Sequence, residues 1–161
     1  MLLLSIAVLS LLGSVFVCAS CGAFLSAAWA WMLPVSMLGF FLALALIGFA
    51  FVLYLCKRVD QSVPQEEDDK CYRIVTNLIV GSALPFLRIR VKQSGREKVP
   101  AEGRFLLVGN HCNDSDPIIL IKGFRRFQLA VISKKENSTM FVIGPMMNKL
   151  QCQLINREND R

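Results

Sequence analysis

The first 56 residues of the chain carry no charged side chain, and every Lys, Arg, Asp and Glu follows Cys56. A soluble domain needs polar faces, and this segment offers almost none. It divides into two apolar stretches, Met1 to Ser20 and Pro34 to Cys56. Each has about 20 residues, roughly what a helix needs to cross a 30 Å hydrocarbon layer. Gly22, Trp29 and Trp31 lie between them. Tryptophan favours the membrane–water interface, and Pro34 suits the first turn of a new helix. The pattern predicts a transmembrane helical hairpin, and a membrane anchor over 1–58. Tyr54, Lys57 and Arg58 mark the exit. Lys and Arg favour the cytoplasmic side, so the soluble part of this integral membrane protein is expected on the cytoplasmic face. A cleaved signal peptide does not fit, because a basic start is missing and the apolar character continues too far.

The net charge of +6 therefore belongs wholly to residues 57–161. A basic part beside an apolar anchor suggests an anionic bilayer surface or phosphate-bearing ligands, with a solvated basic face as the plainer alternative. Six cysteines are present. Cys18 and Cys21 have C-x-x-C spacing, but no second ligand pair or histidine stands near. Small apolar residues of a membrane helix describe them better than zinc ligands.

Residues 59–85 read as an acidic linker (Asp60, Glu66, Glu67, Asp68, Asp69) followed by an amphipathic helix. Its apolar positions are Cys71, Tyr72, Ile74, Val75, Leu78 and Ile79, and it is expected to end near Gly81 or Pro85. Such a helix either lies on the bilayer or covers a core. From Leu87 the period changes to two: Leu87, Ile89 and Val91 alternate with Arg88, Arg90 and Lys92, a half-exposed strand pattern. Ser94-Gly95 and Pro100 to Gly103 are turn signals. Phe105–Val108 reads as a buried strand, 117–123 as a short helix, Gln128–Ser133 as another strand. Together they predict a β-α-β unit with parallel strands. Met140–Leu150 is expected to be helical, with Gly144-Pro145 starting or interrupting it, and Gln153–Ile155 to be a short strand.

Between Phe105–Val108 and the 117–123 helix lies Asn110-His111-Cys112-Asn113-Asp114-Ser115-Asp116-Pro117, with the only histidine in the chain. A histidine exchanges a proton near neutral pH, and an adjacent acid can orient it. Residues five apart on a continuous helix diverge by about 140°. On a turn, His111 and Asp116 can meet. Asp116 is expected to cap the helix, with Pro117 at its first position. Two other chemistries share these residues. His111, Cys112, Asp114 and Asp116 could ligate a metal, as in a metal-dependent hydrolase, or Cys112 could act as nucleophile. Neighbours on extended chain point opposite ways, which disfavours the second.

Asn110-His111-x-x-x-x-Asp116-Pro117 after a buried strand resembles the first motif of the glycerolipid acyltransferase family, which includes the 1-acylglycerol-3-phosphate acyltransferases. Ile132-Ser133-Lys134-Lys135-Glu136 resembles the family's lysine-rich segment. Gly144 falls where the family has a glycine, and Leu154-Ile155-Asn156-Arg157 where its second motif ends in arginine. The resemblance covers about 85–157. It implies an α/β acyltransferase domain over 86–161, with His111 as general base and Asp116 orienting it. Arg157, with Lys134 and Lys135, would bind the acceptor's phosphate. It implies acyl-CoA or acyl carrier protein as donor and a glycerol phosphate or lysophospholipid as acceptor. The bilayer is a partner; cofactor, metal and nucleic acid are not expected.

The chain departs from the family at Asn113, where serine is usual, at Phe141, where proline is usual, and near Gln151, where glycine is usual. Glu102-Gly103-Arg104 imitates the family's third motif but precedes the histidine and reads as a turn. The third and fourth motifs would follow Arg157. The expectation is therefore the N-terminal part of such a domain, weakly active by itself, or a non-catalytic membrane protein carrying a remnant.

Overall fold

The computed structural model describes residues 2–67, 69–110, 112–113 and 115–156. The fold is mostly helical with one small sheet, and it divides into two compact units, Met1–Ser62 and Val63–Arg161.

In the first unit, α1 (Leu2–Ser20) and α2 (Trp29–Lys57) are each long and apolar enough to cross a membrane. A short 3-10 turn, Ala23–Leu25, lies between them, entered by Gly22 at φ +64°. The two helices pack through small residues. Ser10, Ser14 and Cys18 repeat every fourth position on α1 and are fully buried. The hydroxyls of Ser10 and Ser14 donate to the carbonyls of Ile6 (2.8 Å) and Ser10 (2.6 Å), so no polar group is left unsatisfied there. A Cβ on Gly13 would stand 3.1 Å from the Phe40 ring, so the missing side chain admits that ring. The second helix starts earlier than the sequence suggests. Trp29 and Trp31 are helical, and Pro34 lies inside α2 rather than at its start. Apolar helical propensity carries the turn upstream, and Pro34 forfeits only its own bond to the Ala30 carbonyl. At the far end the Arg58 guanidinium bonds the Tyr54 hydroxyl at 3.0 Å. Ser62 then closes an Asp60 turn, its hydroxyl and N–H both donating to the carboxylate (2.6 and 2.9 Å). Those two bonds hold the Asp60 carboxyl below its ordinary pKa.

The second unit is built on α3 (Lys70–Phe86). Asp69 caps it, accepting from the N–H of Cys71 (3.0 Å) and Tyr72 (3.4 Å). Asp69→Ala is expected to destabilise this unit by about 1 kcal/mol, read as faster amide exchange in the first turn of α3. Tyr72, Val75, Val80 and Leu84 are buried, so α3 covers a core; Ile74 and Leu78 on its other side stay exposed. The helix runs through Gly81 and Pro85, past both expected stops. It ends in a Schellman turn. The N–H of Ile89 bonds the Leu84 carbonyl (3.0 Å) and that of Arg88 the Pro85 carbonyl (3.1 Å). Arg88 is thereby left-handed at φ +53°, where glycine is the unstrained choice. This turn explains why the alternating Leu87–Val91 run is not a strand: the helix end consumes its first residues.

The short helices α4 (Asp116–Gly123) and α5 (Ile143–Lys149) pack on α3. Gly144 and Pro145 fall in the first turn of α5, starting it. The sheet has two parallel strands, β1 (Ile132–Lys134) and β2 (Gln153–Ile155), with Ser133 opposite Leu154. The chain between them passes through a 3-10 turn, Lys135–Thr139, and α5. Of the expected Gln128–Ser133 strand only the last two residues join the ladder. The expected buried strand Phe105–Val108 joins none: Leu106 is 83 % and Val108 80 % exposed. A strand exists through its partner's N–H and C=O groups, and no described segment supplies them here. Phe105 is pinned by its ring alone, edge-on to Phe127 at 5.3 Å.

The expected acidic linker is partly docked. Asn148 Nδ2 bonds the Val63 carbonyl (3.2 Å), Lys149 Nζ the Gln65 side-chain oxygen (2.8 Å), and Gln151 Nε2 the Glu66 carbonyl (2.6 Å). Gln151 sits at φ +58° in a second Schellman turn, with Cys152 N–H on the Met147 carbonyl (2.9 Å) and Gln151 N–H on that of Asn148 (3.0 Å). The position needs a left-handed residue, which is why glycine is at home there.

Candidate active site

The turn before α4 is folded around the Asp116 carboxylate. Its Oδ2 accepts from the backbone N–H of Cys112 (2.7 Å) and of Asn113 (2.9 Å). The Asp116 N–H returns a bond to the Asn113 carbonyl at 2.9 Å. Asn113 Oδ1 accepts from the Ser115 N–H at 3.0 Å, a short Asx turn that serine could make only more weakly. The two backbone N–H donors on one oxygen fix the carboxylate's place in the turn.

One expectation is corrected here. Asp116 is the first residue of α4 and Pro117 the second; Ser115 is the cap and makes no side-chain capping bond. The Asp116 carboxylate reaches back along the turn to the N–H groups of Cys112 and Asn113. His111 and Asp114 lie outside the described residues, as does Arg157. The distance from Asp116 to His111, and the metal set that includes His111 and Asp114, are therefore not among the described geometry.

The remaining motif residues are dispersed. Asn110 and Cys112 are exposed beside the turn. Lys134 ends β1, while Lys135 and Glu136 open the 3-10 turn; all three are exposed. Asn137 Nδ2 bonds the Ser133 hydroxyl (2.8 Å), fixing the exit from β1. Gly144 is buried at the start of α5, its N–H on the Met140 carbonyl at 2.8 Å. It acts on packing rather than on chemistry. Arg125 and Arg126 are exposed, with the Arg126 guanidinium over the Phe127 ring at 4.7 Å. Gly103 at φ +86° confirms a turn at Glu102-Gly103-Arg104. Burial pushes the Cys152 thiol up from its ordinary pKa, against a smaller opposing effect of its backbone bond to Val131, which makes it a poor nucleophile. Among the described residues, no cluster of three or more His, Cys, Asp or Glu could hold a metal ion.

Sequence reading missed one residue that shapes this unit. Gln151 was visible only as a missing glycine, and its left-handed turn is the signal that explains both.

No curated protein and no solved structure matches the chain. A family model described as Acyltransferase does, over residues 90–161, a span that includes the Asp116 turn, both strands and α5. The match over residues 90–161 is consistent with a glycerolipid acyltransferase family.

Proposed function

We propose that the chain is a membrane-anchored O-acyltransferase. It moves a fatty acyl group from acyl-CoA or acyl carrier protein to the hydroxyl of lysophosphatidate or glycerol 3-phosphate, a step of phospholipid synthesis. The observation that carries this reading is the Asp116 turn within the family match. A carboxylate at a helix start gathers the backbone N–H groups of residues 112 and 113, beside the only histidine.

In this reading α1 and α2 span the bilayer, and Lys57 and Arg58 keep the domain on the cytoplasmic face. An ionised carboxylate offers about four acceptor positions, so Asp116 can hold the turn and still accept an imidazole N–H. That bond leaves the other ring nitrogen of His111 as base. The nitrogen takes the acceptor's hydroxyl proton as the oxygen adds to the thioester carbonyl. The C–S bond then breaks, and the proton passes from His111 to the departing sulfur. Lys134, Lys135 and Arg157 hold the acceptor's phosphate; an Arg fork matches a phosphate's two oxygens.

The test is labelled acyl transfer by the full-length protein in bilayers, across an acceptor panel of glycerol 3-phosphate, lysophosphatidate and neutral lysolipids. Transfer to the phosphate-bearing acceptors, unchanged by chelators, is the expected result. Chelator-sensitive hydrolysis would point to metal chemistry instead. No transfer to any acceptor would leave the non-catalytic alternative.

A further inference from the structure

Two residues other than glycine occupy left-handed helix ends in this domain, Arg88 and Gln151. Gln151 uses the position. Its side chain ties the carbonyls of the linker to the end of α5 and also meets Gln128. Arg88 makes no such use. Its side chain is exposed and borders a pocket of about 740 Å³ between the end of α3, the segment that follows it and α4. Arg90 and Lys122 line the same pocket. The Lys122 ammonium is 3.7 Å from where a Cβ on Gly81 would lie, so it rests against α3. Gln93 Nε2 bonds the Gly123 carbonyl at 3.2 Å and ties the segment after Arg88 to the end of α4. The rest of the wall is largely apolar, with Leu84, Ile89 and Val91. Among the described residues, no carboxylate lines it.

Three cations around an apolar hollow, with no counter-charge among its described lining residues, repel one another unless an anion joins them. A left-handed arginine where glycine would be unstrained adds a backbone cost, and among the described residues no side-chain hydrogen bond or ring contact of Arg88 is seen to offset it. We propose that this pocket binds a phosphate ester carried on an apolar chain. The phosphate meets Arg88, Arg90 and Lys122, and the chain lies along Leu84, Ile89 and Val91. Arg and Lys are the usual partners of phosphate oxygens, and the volume is that of a small-molecule site. Lys122 is six residues from Asp116 on α4, about 9 Å along the axis. The pocket is thus a neighbour of the proposed catalytic turn but distinct from it, and binding there does not depend on acyl transfer.

The experiment is equilibrium binding to the full chain in nanodiscs of neutral phosphatidylcholine. One arm uses a short-chain lysophosphatidate soluble as a monomer, a second uses inorganic phosphate, and a third places long-chain phosphatidic acid in the nanodisc. The expected result is saturable binding of the soluble amphiphile, with inorganic phosphate at least about tenfold weaker because the apolar wall is unused. Arg88→Gly should weaken the amphiphile about tenfold while leaving the melting temperature equal or higher, since it relieves the left-handed strain. Arg90→Gln with Lys122→Gln should do at least as much, and Arg96→Gln with Lys98→Gln, of equal charge change, should not. The same ranking in the phosphatidic acid arm would place the ligand's source in the bilayer, and its confinement to the first arm would place it in water. Equal losses from both charge pairs, undiminished binding by Arg88→Gly, or inorganic phosphate as good as the amphiphile would each overturn the proposal. His111→Ala should bind normally, so failure of the catalytic reading and failure of this one are separable.

Discussion

His111→Ala is expected to lower acyl transfer by about 10²–10⁴-fold, the range of a positioned general base, with the melting temperature unchanged. Asp116 allows a finer test because it does two things. Asp116→Ala removes the acceptor of two backbone N–H groups, so the turn and the chemistry fail together. Asp116→Asn keeps an oxygen for those N–H groups but loses the charge that would steady an imidazolium. The asparagine variant should therefore melt close to the parent while transferring acyl groups at least about tenfold more slowly. The readout is the rate at saturating acceptor, set beside thermal unfolding. A full rate in either His111→Ala or Asp116→Asn would remove the proposed mechanism.

Met146→Ala should give the largest loss of stability in the second unit, about 2–5 kcal/mol. Met146 is only 5 % exposed, and it lies on α5 facing α3. The Thr76 hydroxyl approaches its sulfur at 3.6 Å, so truncation opens a cavity and also strands a hydroxyl. Met146→Leu nearly conserves volume and should cost less than about 1.5 kcal/mol. Thermal unfolding in neutral nanodiscs, followed by near-ultraviolet circular dichroism, measures both. Equal effects of the two substitutions would mean that the α3–α5 contact is not a packed core.

What could be read from the sequence is whatever is decided locally. The apolar lengths of α1 and α2 need no partner to be recognised, and Asp-Pro marks the start of α4. Strands are decided elsewhere in the chain. Phe105–Val108 has the composition of a buried strand, yet composition cannot supply a neighbour's backbone. Leu87–Val91 alternates as a strand should, but the Schellman bonds from Ile89 to Leu84 and from Arg88 to Pro85 take precedence over the alternation. In the site, Asp116 was legible from its motif, although its direction was not. An aspartate before proline suggests a cap, and only the structure has it turning back to Cys112 and Asn113. The group of Arg88, Arg90 and Lys122 was invisible for a different reason. It exists only where a left-handed helix end faces a second helix.

The open run Phe105–Val108 bears on the proposed reaction. On one side of the turn Asp116 belongs to α4, whereas the approach through Asn110 joins no backbone ladder among the described residues. In the proposed reaction, the aspartate side of the turn is held by its own bonds. Any residues of the 105–110 run that settle only against a substrate or a partner strand would carry an ordering cost. Fixing one residue's backbone costs about 1–2 kcal/mol, so a few residues ordered on binding would absorb much of the affinity a small acceptor can supply. A neighbouring strand laid against Leu106 and Val108 would meet that entropy in advance. Its expected kinetic signature is tighter apparent acceptor binding with little change in the chemical step.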